Sequence, residues 1–83
     1  MNIRKKALGD RNIIGCRVTQ ARLESNMLQK DLLARLQTRG VDISLPALSL
    51  LEGQKRPVSD IELNALADIF NRSSDWFLGR VNG

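Results

Sequence analysis

Apolar residues recur along this chain at spacings of three and four, in five separate blocks. The first block is Ile14, Val18, Ala21 and Met27 or Leu28, with Arg11, Arg17, Arg22 and Glu24 off the stripe. This is the helical period, and it predicts a first helix over about 10–25. Asn26 follows it, a residue type that tolerates left-handed backbone at a helix end. The second block is Leu32, Leu33 and Leu36, with Lys30, Asp31, Arg35 and Gln37 outside. It predicts a helix over about 28–39, closed by Gly40. Leu28 stands where a Ser or Thr cap is usual, which weakens this start by about 1 kcal/mol.

Residues 40–43 read as a turn, with Ile43 as a core plug. Ser44 is a natural N-cap, and Pro46 falls in the first turn of a third helix over 45–52, where proline is tolerated. Leu48 and Leu51 face inward on that reading. Gly53 and Pro57 bracket a loop that carries Lys55 and Arg56. Ser59-Asp60-Ile61-Glu62 is a capping box, which opens a fourth helix with Leu63, Leu66, Ala67 and Phe70 as its stripe. A short fifth helix follows Ser73 or Ser74, runs through Asp75-Trp76-Phe77-Leu78 and stops at Gly79. All three aromatics lie within 70–77 at helical spacing on apolar faces. That pattern assigns them to core packing rather than to stacking on bases. Residues 1–9 have no periodicity and read as a mobile basic arm ahead of a single helical domain over 10–80.

A length of 83 residues allows one domain with a modest core. No apolar run approaches a membrane span, and no apolar segment follows the basic Arg4, Lys5 and Lys6. A cytoplasmic chain with no membrane partner is therefore expected. One cysteine, Cys16, and no histidine leave no internal disulfide, no zinc ligand set and no histidine-based triad. With no glycine-rich phosphate loop either, neither catalysis nor a cofactor is expected. The charge is lopsided. Residues 1–40 carry nine Lys or Arg against three acids, a net of +6, whereas residues 41–83 carry four against six, a net of −2. A one-sided basic surface suits a polyanion such as DNA.

Four stretches then stand in order along the chain. They are Ile14-Gly15-Cys16-Arg17-Val18 with Arg22; Gln29-Lys30-Asp31-Leu32 with Leu36; Leu51-Glu52 with Lys55-Arg56-Pro57-Val58-Ser59-Asp60-Ile61-Glu62-Leu63 and Ala65-Leu66-Ala67; and Asp75-Trp76-Phe77-Leu78-Gly79. In register they resemble the Cro/C1 repressor family, also called the Xre family, of phage and bacterial regulators, over about residues 12–79. The resemblance implies an all-α, five-helix bundle of the lambda-repressor-like helix-turn-helix type. It implies a DNA-binding transcriptional regulator, acting as a homodimer on double-stranded DNA, with the third helix in the major groove. By position, Ser44, Leu45, Pro46, Ala47 and Ser49 face the groove. Arg17, Gln29, Lys30, Arg39, Gln54, Lys55 and Arg56 are the implied phosphate contacts, and Glu52 with Arg56 is an implied structural ion pair.

The chain departs from that family in three ways. About five extra residues lie between Gln29 and Glu52, around 39–43, as in a longer-turn subgroup. Gly53-Gln54 reverses the usual order, in which glycine is the second residue after the glutamate. The groove-facing positions read Leu45-Pro46-Ala47, with Leu50 nearby, where hydrogen-bonding side chains usually read base edges. Ser44, Ser49, Gln54, thymine methyls and DNA shape remain as sources of specificity. The same apolar edge also fits an alternative, a protein-interaction module of antirepressor or antitoxin-like type that uses the third helix.

Overall fold

A computed structural model describes residues 11–82. The basic arm expected at 1–9 lies outside the described residues. Five helices follow one another: α1 (Gly15–Glu24), α2 (Gln29–Thr38), α3 (Leu45–Glu52), α4 (Asp60–Phe70) and α5 (Ser74–Phe77). No strand occurs among the described residues. The chain is an all-α, five-helix bundle, with α3 packed on both α1 and α2 and α4 packed on α1, α2 and α5.

The helix ends follow from local chemistry. Ser44 Oγ accepts the Ala47 N–H at 3.2 Å, and Pro46 occupies the first turn of α3. Ser59 and Glu62 form the capping box, each accepting the other's backbone N–H, at 3.1 and 2.9 Å. Ser73 Oγ accepts the Trp76 N–H and opens α5. Asn26 and Asn71 take left-handed backbone after α1 and α4. Gly40, at φ 79°, does so after α2 and turns the chain toward α3. Leu28 provides no side-chain cap, yet the Asp31 carboxylate accepts its N–H at 2.9 Å and supplies half of a capping box.

Two boundaries differ from the sequence reading. Helix α1 begins at Gly15 rather than near Asp10. The Asn12 side chain stops it there: its Oδ1 accepts the N–H groups of Ile14 and Gly15, at 3.1 and 2.8 Å. Asn12 thus works as a cap, which the helical stripe through Ile14 concealed. The second difference lies at residues 53–54. Gly53 stays at negative φ, −80°, and Gln54 takes the left-handed conformation at φ 63°. The second residue after Glu52 is therefore the one that reverses the chain, and here it is a glutamine.

The core contains Ile14, Val18 and Ala21 of the first block, Leu32 and Leu36, Ile43, Leu48 and Leu51, and Leu66. Leu28 is exposed instead, and Val41 of the turn is buried. Trp76 and Phe77, assigned to the core by their spacing, are fully enclosed and meet edge to face at 5.0 Å, whereas Phe70 is half-buried.

Candidate nucleic-acid interface

Glu52, the last residue of α3, is buried and joins three helices. Its two oxygens accept from Arg22 Nε at 2.9 Å and Nη2 at 3.0 Å. Its Oε1 also accepts from Gln29 Nε2 at 3.1 Å and from the Thr19 hydroxyl at 3.2 Å. Arg22 and Thr19 lie on α1, and Gln29 is the first residue of α2. Arg22 Nη1 donates further to the Met27 carbonyl in the turn between those helices. One carboxylate thus sets where the end of α3 sits against α1 and the start of α2. A bidentate guanidinium is the geometry that makes a buried carboxylate tolerable.

The start of α1 is docked on the same end of α3. Asn12 Nδ2 donates to the Leu51 carbonyl at 3.1 Å and to the Arg56 carbonyl at 2.7 Å. Gln54 Oε1 accepts the Cys16 N–H at 3.3 Å. These contacts clamp the C-terminal end of α3 and leave one face of the helix outside. Leu48, Leu51 and Glu52 point inward, whereas Leu45, Pro46, Ser49 and Leu50 are exposed and Ala47 is half-buried. Positions 45 and 49, and 46 and 50, are one helical turn apart, so the exposed residues form one stripe. Ser44 stands exposed at its head.

The basic positions divide into two groups. Lys30, Arg35 and Lys55 are exposed and make no ion pair among the described residues. Arg39 is exposed but pairs with Asp68 of α4 at 2.9 Å. Arg56 is half-buried and pairs with Glu62, not with Glu52. The implied Glu52–Arg56 pair is therefore corrected: Arg22 holds Glu52, and Arg56 holds the capping box of α4. Two implied phosphate contacts are corrected as well. Arg17 is 1% exposed, with its guanidinium 4.6 Å from the centre of the Trp76 ring. It is a core cation, stabilised by the aromatic face and enclosed away from any backbone phosphate. Gln54 is 6% exposed, with its side chain turned to the start of α1, which also removes it as a source of base readout. Gln29 is half-buried and spends its amide on Glu52, so it braces α3.

Sequence reasoning named Arg22 and Glu52 but did not join them, because they are 30 residues apart. It missed Asn12 altogether. The only available signal was an asparagine shortly before the first apolar stripe, a typical N-cap placement.

Glu62 has a carboxyl held below its ordinary value of 4.5. Burial alone pushes it up, but the Arg56 hydrogen bond, the Ser59 backbone N–H and the Arg56 charge together outweigh that. A lowered folded-state value means stability that is complete above the unfolded value and lost as pH falls through the folded one. Urea midpoints measured from pH 7 downward are therefore expected to fall below about pH 4.5 more steeply for the natural chain than for Glu62→Gln. That variant starts about 1 kcal/mol less stable at neutral pH, having weakened the cap and the ion pair.

The fold and the site thus define a five-helix bundle that presents one braced, half-exposed helix, with exposed cations on α2 and just beyond α3. No family model, no curated protein and no solved structure matches this chain.

Proposed function

We propose that this chain is a DNA-binding transcriptional regulator of the Cro/C1 helix-turn-helix type, a repressor that acts as a cytoplasmic homodimer and has no enzymatic activity. On this reading, α2 and α3 are the helix-turn-helix unit and the N-terminal half of α3 enters the major groove. The observation that carries it is the Glu52 junction. A helix clamped at its C-terminal end by α1 and α2, with its N-terminal residues exposed, is the presentation that groove insertion requires, because residues at the start of the inserted helix meet the base edges. The exposed Lys30, Arg35 and Lys55 supply phosphate contacts. A dimer places two half-sites roughly 34–36 Å apart.

Fluorescence anisotropy of the chain on a mixed-sequence duplex, repeated from low to physiological salt, tests this reading. A dimer engaging three phosphates per protomer gives a slope of log K against log salt of about −5. Absence of binding at low salt, or binding that ignores salt, overturns it.

The exposure of Leu45 at 42% and Leu50 at 47% favours a second reading on the same fold, in which this apolar edge meets a protein partner. A protein module predicts that Leu45→Glu with Leu50→Glu abolishes partner capture and leaves duplex affinity intact.

A further inference from the structure

We infer that the outward stripe of α3 reads thymine methyl groups, so that the chain selects A·T base pairs by apolar contact rather than by hydrogen bonds to base edges. This rests on the DNA-binding reading above and names what that surface recognises.

The inference follows from elimination among the described residues on and around the exposed face of α3. Major-groove readout by hydrogen bonds uses long donors or acceptors, chiefly Arg, Lys, Asn and Gln. The stripe Leu45, Pro46, Ser49 and Leu50 contains none of these. The long amides around α3 have partners of their own: Gln54 is buried and turned to the start of α1, Gln29 donates to Glu52, and Gln37 of α2 donates to the Ile43 carbonyl at 3.5 Å. Of the two hydroxyls, Ser44 accepts the Ala47 N–H as the helix cap, so its oxygen is held in place at the helix end. Ser49 alone remains on the exposed face as an uncommitted polar group, and a hydroxyl discriminates weakly among bases. The apolar members are therefore the ones that distinguish base pairs. The thymine C5-methyl is the apolar group that a base pair presents in the major groove.

Charge decides the occupant of this apolar stripe. Lys30, Arg35 and Lys55 lie on α2 and just beyond α3, exposed and without ion pairs among the described residues. The Lys55 N–H donates to the Leu50 carbonyl at 2.9 Å, so one cation stands at the end of the stripe, and α2, which carries Lys30 and Arg35, packs against α3. Cations beside an apolar stripe fit a ligand with an anionic rim and an apolar interior feature. Duplex DNA offers phosphates flanking a groove lined with methyls. Burial of one methyl group against Leu45 or Leu50 is worth about a fourfold change in affinity.

The test removes the methyl and nothing else. A random-sequence duplex pool is put through rounds of binding to the full chain, and the selected duplex is synthesised twice, once with thymidine and once with deoxyuridine. Pairing and phosphate charge are the same in both. Anisotropy titrations at equal salt are expected to show weaker binding of the deoxyuridine duplex, about fourfold for each methyl contacted, with the salt slope unchanged. Leu45→Ser and Leu50→Ser, both at exposed positions, are expected to bring the ratio between the two duplexes toward one. Equal affinity for the two duplexes, with a steep salt slope, overturns the inference and leaves DNA binding standing. Absence of binding to either duplex at low salt overturns the DNA-binding reading, and the inference with it.

Discussion

Replacing Glu52 by alanine is expected to destabilise the bundle by about 3–5 kcal/mol. The loss has one dominant source. Arg22 has a side chain only 12% exposed, and Glu52 accepts two of its hydrogen bonds. Removing the carboxylate leaves a guanidinium that is desolvated and uncompensated, which costs far more than the net worth of the pair. The Gln29 amide and the Thr19 hydroxyl lose an acceptor in the same step. Small domains have stabilities of about 5–15 kcal/mol, so such a variant is close to unfolded at physiological temperature. Urea titration followed by circular dichroism measures it, as a fall in midpoint at constant slope. The pair Arg22→Met with Glu52→Leu separates the mechanisms. It removes both charges and fills the volume, and it is expected to recover much of the lost stability. If the double variant loses the sum of the two single effects, the charges do not interact and the account of the junction fails. On the proposed DNA-binding reading, in which this junction sets α3, the recovered variant is also expected to bind a duplex more weakly than the natural chain.

The substitution Gly15→Ala is expected to cost about 3 kcal/mol, although alanine is the better helix former. Propensity favours alanine by about 1 kcal/mol at most. Against that, a Cβ at Gly15 would press on the Leu51 carbonyl oxygen, and would lie 2.7 Å from the Glu52 carbonyl oxygen and 2.8 Å from Gln54 Cγ. Two of these neighbours are backbone atoms at the end of α3, which cannot rotate away. Helix α1 must therefore lift off α3, which disrupts the Asn12 and Gln54 contacts that dock its start on the end of α3. Gly53→Ala is the matched control. Its nearest contact would be the Ser49 carbonyl oxygen at 3.4 Å, and its φ of −80° is open to any residue. Thermal melts of the two variants are expected to differ by well over 10 °C. Equal melting temperatures would show that the approach of α1 to α3 is not tight.

Much of the architecture is legible in the chain because it depends on near neighbours. Helix α3 was readable to the residue, since Ser44, Pro46 and the Leu48–Leu51 spacing all act within one or two turns. The Ser59–Glu62 capping box and the left-handed Asn26 and Gly40 are equally local. The start of α1 was not readable in the same way. Its cap, Asn12, is also anchored to the carbonyls of Leu51 and Arg56, about 40 residues further on, and no periodicity records such a contact.

The candidate interface divides along the same line. Charge type, the apolar stretch Leu45-Pro46-Ala47 and the exposed positions of a half-buried helix follow from residue identity and the helical period. Which cations are available does not. Arg17, Arg22, Arg39 and Arg56 are all arginines in a basic sequence, yet one is enclosed against Trp76 and three are paired with Glu52, Asp68 and Glu62. Composition counts charges, and only packing decides which of them meet solvent. The sequence by itself determined the five helices, their order and the apolar face of each, because hydrogen bonding and side-chain spacing within a helix are short-range. The tertiary structure alone decided that Glu52 joins Arg22 and Gln29, that Gln54 turns inward, and that Lys30, Arg35 and Lys55 make no ion pair among the described residues. Those outcomes depend on groups brought together across the bundle, where burial sets the cost of leaving any one of them unpaired.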